Sequence, residues 1–443
     1  MVLKKKKKWY SSPLILTLIS LIGGAILSII PTYYFTIRQE KIEYSKIENS
    51  ISSAESLLSQ GMADEALKAY SEVISKVSKD VKPEFYARIK TGEGKTYFLL
   101  ASKGDQESNL KKSLTSYSEA LKIFTIKDYP ADYAKTQSYI ANSFLFMSEI
   151  RDRKGNLELS INANLEALKI FTKENNLFEY GKTTLNLGID YENIAQVSDA
   201  EEYIKKAILS YDEALEVFDA AVYPYENATV KLNLGNAYHS LFSQENNAAL
   251  LEQSINFYGE SLQMFSIENY PQDYSSIQFN IGLCYESLSL VKDKKINLEK
   301  AAEAYNNALI IYKKDYYPYD FASVSTNLAT LYMKISEIED KEENLKKAFD
   351  SFQEALSIFT IEKYPIDYAL TQTSLGDYYI IESGAINESA NNEKTIPEIK
   401  SYLEDAINSY KNALRVFTKE NYPDDYDYVN KKLEQANSSL AQM

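Results

Sequence analysis

Residues 91–98 read Thr-Gly-Glu-Gly-Lys-Thr-Tyr-Phe, and Gly94-Lys95-Thr96 is the close of a phosphate-cradling loop. Such a loop also needs a glycine five residues before Gly94 and a strand ahead of it; Ile89 stands there, so nucleotide chemistry is not expected. The single histidine, His239, has no second histidine or cysteine to work with and is expected to be an exposed, solvating side chain. Cys284 is also alone, which rules out an internal disulfide and any cysteine-rich zinc site. Carboxylates abound but recur at regular intervals, with no unique pair of the kind acid–base catalysis requires. One set remains. Asn186, Asn233, Asn280 and Asn327 follow one another at intervals of 47, with Tyr139 in the preceding place of the series. Three residues further along in the same frame stand Lys95, Asn142, Asn236 and Asp377, and four residues earlier stand Arg88, Lys135 and Lys182. Amides that donate and accept together, flanked by cations, are suited to gripping a peptide backbone and an acidic segment. That chemistry is recognition, with no bond made or broken.

The elements that must position this set are legible in the same interval. Prolines fall at 83, 130, 224, 271, 318, 365 and 423, with Leu177 midway between 130 and 224, and every step is 47 except the last, which is 58. So regular a period marks a solenoid whose repeats bury their faces only against their neighbours. Eleven residues after the proline the side chain is small: Gly94, Ala141, Gly188, Gly235, Gly282, Ala329 and Gly376. Fourteen after, it is aromatic: Tyr97, Phe144, Tyr191, Tyr238, Tyr285, Tyr332 and Tyr379. Proline in the first turn starts the helix that carries both. Counting back from each later proline, small residues at seventeen and ten and aromatics at thirteen and six make a second helical stripe, as in Ser254, Tyr258, Ser261 and Phe265. Each repeat is thus two antiparallel helices joined by polar loops. The 37 tyrosines are mostly packing residues of these columns.

At these columns the sequence resembles the tetratricopeptide repeats, whose first helix carries Leu-Gly-x-x-Tyr and whose second carries a small residue, an aromatic four on and alanine three further. Residues 233–238, Asn-Leu-Gly-Asn-Ala-Tyr, and 207–214, Ala-Ile-Leu-Ser-Tyr-Asp-Glu-Ala, show the likeness, which covers about residues 39 to 443. The repeat is longer than that family's usual one. The resemblance implies an all-α solenoid, a right-handed superhelix of antiparallel helix pairs, with about eight pairs and a C-terminal capping helix over 38–443. It also implies a concave groove of first helices where peptides bind, so the twelve residues named above are expected to line it. A family clamp for a terminal carboxylate is not reproduced: eight after the proline stand Thr91, Ser138, Leu185, Leu232 and Phe279.

Ahead of the repeats, residues 1–12 form a basic tail with Lys4 to Lys8, and 13–37 carry no charge, 25 residues that suffice to span about 30 Å of hydrocarbon. The lysine cluster favours a cytoplasmic amino terminus and repeats outside the membrane. Cleavage as a signal peptide, near Gly23 and Ala25, is the alternative. Residues 1–38 hold six basic and no acidic residues, so the remainder has 42 Lys and Arg against 63 Asp and Glu. So acidic a body is a poor ligand for nucleic acid. The reading is a membrane-anchored, non-enzymatic scaffold for protein or peptide partners, without cofactor or metal. Its rivals are a self-associating spacer at the cell surface and an accessory subunit of an enzyme complex.

Overall fold

The proline that opens each first helix has a second effect: it holds the preceding residue extended. Tyr129, Tyr223, Tyr270, Tyr317 and Tyr422 all sit near φ −129° to −140° and ψ 61° to 65°. In that conformation the tyrosine ring folds back on the aromatic that closed the previous helix. Phe124 meets Tyr129 at 5.4 Å, Phe265 meets Tyr270 at 5.4 Å and Phe417 meets Tyr422 at 5.6 Å between ring centroids. Tilted and edge-on pairs of this kind add about 0.5–1.5 kcal/mol beyond the area they bury. The Tyr-Pro pair is therefore a corner piece.

The computed structural model describes residues 38–388 and 396–443, without the side chains of 385–388. These residues form seventeen helices and no strand. In order they are α1 (38–59), α2 (Ala63–Ile74), α3 (Pro83–Ala101), α4 (Gln106–Leu121), α5 (Pro130–Ser148), α6 (Arg153–Leu168), α7 (Leu177–Ala195), α8 (Ala200–Val217) and α9 (Pro224–Glu245). There follow α10 (Ala248–Ser261), α11 (Pro271–Ser289), α12 (Lys294–Ala308), α13 (Pro318–Ser336), α14 (Lys341–Leu356), α15 (Pro365–Glu388), α16 (Ile396–Ala413) and α17 (Pro423–Ala441). The chain divides into two compact units, one ending at Asn176 and the other running from Leu177 to Met443. Within each, a proline-started helix pairs with its successor, and the first helices also touch one another, α3 with α5, α7 with α9, α9 with α11 and α13 with α15. They therefore share a face.

The small columns are where helices come closest. Residues seventeen and ten before the proline, from Ser113 and Ala120 to Ala406 and Ala413, are completely buried. Where the first of these is serine, its hydroxyl donates to the carbonyl of the small residue on the first helix, Ser113 to Gly94 at 2.8 Å and Ser254 to Gly235 at 2.7 Å. The glycines answer to a larger neighbour. A Cβ on Gly188 would lie 2.4 Å from the Tyr211 ring, and one on Gly235, Gly282 or Gly376 2.4 to 2.5 Å from Tyr258, Tyr305 or Tyr410. The chain itself shows the rule: where the column holds Ala141 or Ala329, the facing column holds Asn164 or Phe352, never tyrosine.

The loops between paired helices follow a second pattern that periodicity of apolar residues does not reveal. Asp105, Asp152, Asn246, Asp293 and Asp340 adopt φ between 42° and 50°, the left-handed region that Asp and Asn tolerate. Four residues after each aspartate an asparagine donates back across the turn: Asn109 to the Gly104 carbonyl at 2.9 Å, Asn156 to Arg151 at 2.7 Å, Asn297 to Lys292 at 2.8 Å and Asn344 to Glu339 at 3.0 Å. The next residue, Leu110, Leu157, Leu298 or Leu345, plugs the core. The motif Asp-x-x-x-Asn-Leu thus sets the angle of entry into the second helix.

The aromatics fourteen after the proline are half-buried, outside the fully buried stripe expected of them. Lysines lie over several of their rings, Lys112 over Tyr97 and Lys300 over Tyr285, at 5.5 and 5.2 Å. On α17 only Val429 and Ala436 are buried, while Glu434 and Asn437 face solvent. The basic tail 1–12 and the expected span 13–37 lie outside the described residues, and among those described no helix is long and apolar enough to cross a membrane.

The tyrosine-over-glycine contact predicts opposite signs for two like substitutions. Gly235→Ala is expected to destabilise, since overpacking costs about 1–3 kcal/mol and exceeds the roughly 0.5–1 kcal/mol that alanine returns in backbone entropy. Gly259→Ala, on α10 with nothing within 4 Å of its new methyl, is expected to stabilise. Chemical denaturation midpoints of the two variants decide the matter; equal shifts would remove the contact from the account.

Candidate functional site

The shared face of the first helices is polar, and the first issue is how much of it the protein uses on itself. Arg88 on α3 is fully engaged. Its guanidinium donates to both Glu55 carboxylate oxygens at 2.9 and 2.7 Å and to Glu48 at 2.6 Å, all on α1, and the Glu55 hydrogen bonds hold its pKa well above the ordinary value. Lys182 is an exposed residue of α7, in the other compact unit. Arg88 is a clamp between helices, and it lines one cavity together with Lys135.

That cavity lies in the first unit, holds about 460 Å³ and is walled by α1, α3 and α5. Arg88 and Glu55 close one end, Lys95, Lys135 and Asp132 offer charge, and Tyr139 supplies an aromatic wall. Lys95 Nζ sits 4.2 Å from the Tyr139 ring centroid, and that ring stacks on Tyr117 at 5.8 Å. Among the described residues neither Lys95 nor Lys135 has a carboxylate within ion-pair distance. Four of the twelve residues expected on the face, Arg88, Lys95, Lys135 and Tyr139, thus meet in one hollow whose size falls among ligand clefts of roughly 300–1,000 Å³. A shallower hollow of about 840 Å³ between α3 and α4 has most of its charges paired, Lys90 with Glu93 at 2.7 Å and Glu107 with Lys111 and Arg151 at 2.6 and 2.8 Å, while Lys112 lies over the Tyr97 ring.

In the second unit a hollow of about 400 Å³ is lined by Asn327, Asp377, Leu370, Phe417 and Tyr428 among others. Asn327 donates to the Ser323 carbonyl one turn back at 3.0 Å. Asn236 and Asn280 are joined, Asn280 Nδ2 donating to Asn236 Oδ1 at 3.3 Å, and the Tyr258 hydroxyl donates to the same oxygen at 2.7 Å. These two asparagines link neighbouring repeats. Asn142, Asn186 and Asn233 are partly exposed and their amides find no partner among the described residues.

Sequence reasoning missed the acceptors of the tyrosine hydroxyls. Tyr211 donates to Glu192 at 2.9 Å, Tyr305 to Glu286 at 2.8 Å and Tyr410 to Asp377 at 2.6 Å. Lys334 closes on Glu286 at 2.6 Å and Lys432 on Asp377 at 2.8 Å. Burial opposes the charge on Lys432, but its bond to Asp377 prevails and leaves its pKa raised. Glu192 has the tyrosine and no lysine, and burial pushes its carboxyl up from 4.5 to about 7. Asn236 and Asp377, twelve after the proline, were expected on the groove face and serve here as acceptors, while Glu192 and Glu286, fifteen after, lie outside the columns searched.

His239 is partly buried, which lowers its pKa; the expected solvated histidine is thus corrected by the packing of α9. Cys284 is fully buried, within 3.3 Å of the Ser254 hydroxyl, and burial pushes its thiol up to about 12. Thr96 is buried and donates to the Gly92 carbonyl at 2.8 Å, so Gly94-Lys95-Thr96 is helix interior. Among the described residues no group of three or more His, Cys, Asp or Glu side chains could hold a metal.

No family model matches the chain, and no curated protein matches it in sequence. Among solved structures, the apo form of RapI matches with 14% identity and a TM-score of 0.50, covering 89% of this chain and 98% of that one. The C-terminal part of a TPR repeat-containing protein from Cytophaga hutchinsonii matches with 11% identity and a TM-score of 0.44, over 70% and 95% of the two chains. A Rap protein complexed with Competence and Sporulation Factor matches with 12% identity and a TM-score of 0.42, over 90% and 99%. The RapI likeness shows the fold alone: this chain is an all-helical repeat protein similar to tetratricopeptide-type solenoids.

Glu192 yields a pH test. The unfolded chain releases this proton near the ordinary value, whereas the folded chain keeps it until about pH 7. Stability from this group is thus complete at low pH and lost as pH rises through the window between the two values. Glu192→Gln, which keeps an acceptor for Tyr211, is expected to match the parent near pH 4.5 and to melt progressively higher than it towards pH 8. A constant difference in melting temperature across that range contradicts the assignment.

Proposed function

We propose that the protein is a membrane-anchored scaffold that binds protein or peptide partners on the face of its first helices, and that it performs no bond-making chemistry. The observation that carries this reading is the cavity walled by α1, α3 and α5. It sets two lysines without ion-pair partners, Lys95 and Lys135, beside the Tyr139 ring in a body that is otherwise strongly acidic. Cations held apart from carboxylates remain available to a ligand, and an aromatic wall gives apolar contact at small entropic cost. The amides of Asn142, Asn186 and Asn233 extend the same kind of surface along further repeats and suit a main chain with little regard to its side chains. In this reading the first helices line the groove of a right-handed superhelix, residues 13–37 cross the bilayer, the tail 1–12 stays cytoplasmic and the repeats lie outside.

Two experiments test it. Full-length protein captured from membranes with its partners, compared with Lys95→Glu/Lys135→Glu, is expected to lose those partners at least tenfold while its circular dichroism is unchanged; undiminished capture would sink the groove. Deletion of residues 13–37 is expected to move the protein from the carbonate-washed membrane pellet to the soluble fraction. A full chain already in the soluble fraction would contradict the anchor.

A further inference from the structure

The second compact unit builds one arrangement repeatedly and leaves it incomplete once. Four tyrosines that lie over glycines, Tyr211, Tyr258, Tyr305 and Tyr410, point their hydroxyls at acceptors on the first helix of their own pair. Asn236, under Tyr258, is neutral and needs no counter-ion. Glu286 and Asp377 are charged, and each receives a lysine from the next first helix or the cap, Lys334 at 2.6 Å and Lys432 at 2.8 and 3.0 Å. Glu192 is a carboxyl group like the latter two, yet among the described residues no lysine or arginine pairs with it. Lys334 follows Glu286 by 48 residues. The residue 48 beyond Glu192 is Ser240, a short neutral side chain that makes no hydrogen bond among the described residues.

The repeat thus acts as its own control. A carboxylate at this place, drawn out of water by the packing around it, is helped by the tyrosine hydroxyl that donates to it, and a neighbouring ammonium or guanidinium stabilises its ionised form further. Twice the chain supplies one. At Glu192 the supply must come from elsewhere, and the side chain is partly exposed, so it can. On the same two helices, α7 and α9, Asn186 and Asn233 carry amides without partners among the described residues, which adds main-chain recognition beside the charge.

We infer that Glu192 is a receptor for a cationic side chain, a lysine or arginine of a peptide lying across α7 and α9, in the position that Lys334 and Lys432 fill in later repeats. The inference rests on the reading that the first-helix face binds peptides and specifies the chemistry of one stretch of it. A net acidic surface alone would attract cations diffusely. The proposal requires one carboxylate to dominate.

The probe is dye-labelled penta-arginine amide, titrated by fluorescence anisotropy against full-length protein at pH 8 and low salt. Glu192→Gln and Ser240→Lys are each expected to weaken binding tenfold or more, whereas Glu286→Gln, which changes the charge by the same amount, is expected to leave it within twofold. Ser240→Lys should also raise the melting temperature at pH 8, because its ammonium closes on Glu192 as Lys334 closes on Glu286. Equal losses in all three variants, or no binding by the parent protein, overturn the inference, as does a lysine at 240 that leaves binding intact. None of these results bears on capture through Lys95 and Lys135, so the failure of one reading is separable from the failure of the other.

Discussion

A tyrosine ring lying over a glycine, with its hydroxyl tied in the second unit to the paired first helix, is the interaction on which the packing there depends. The glycine lets two helix backbones approach with only an aromatic ring between them. The hydrogen bond then fixes the ring along the helix, since a buried hydroxyl without an acceptor costs about 1–3 kcal/mol. Approach distance and register are set together. Because the acceptor is on the first helix, the contact that closes the core also decides which polar side chains stand on the exposed face. Packing is therefore linked to the polar face of the first helices through Glu192, Asn236, Glu286 and Asp377.

The same coupling explains how polar groups on that face divide into used and unused. Arg88 spans α3 and α1, Lys334 spans α13 and α11, Lys432 spans α17 and α15, and Asn280 reaches Asn236. Each joins a first helix to its neighbour, where a solenoid has only local contacts to rely on. Among the described residues, the cations and amides of this face left over are a short set, Lys95, Lys135, Lys182, Asn142, Asn186 and Asn233.

Much of this was legible in the sequence because apolar columns report burial directly. The prolines marked helix starts, and the small and aromatic columns marked the two stripes; the fully buried Ser113, Ala120 and Phe265 lie where their spacing places them. Polar partners were less legible. Arg88 looked like a free groove cation, because nothing in its spacing shows that Glu48 and Glu55, some 33 to 40 residues away, fold onto it. The aspartates at positive φ are spaced by the repeat, but they carry no apolar period and read only as loop composition until the asparagine latch is seen beside them. The aromatics fourteen after the proline shared a helix face with the glycine column by angle. Length carries their rings to the edge of the pair, where lysines cover them.

The central claim is that, in the four pairs where the tyrosine hydroxyl is bonded to the first helix, that bond holds the ring over the glycine beneath it. Phe352 facing Ala329 is nature's version of the relaxed pair. The most direct measurement is a double-mutant cycle on denaturation with Gly282→Ala, Tyr305→Phe and the combination. The account predicts that phenylalanine recovers most of the stability lost to the alanine, a coupling of about 0.5–3 kcal/mol for residues in contact. Losses that simply add would contradict it.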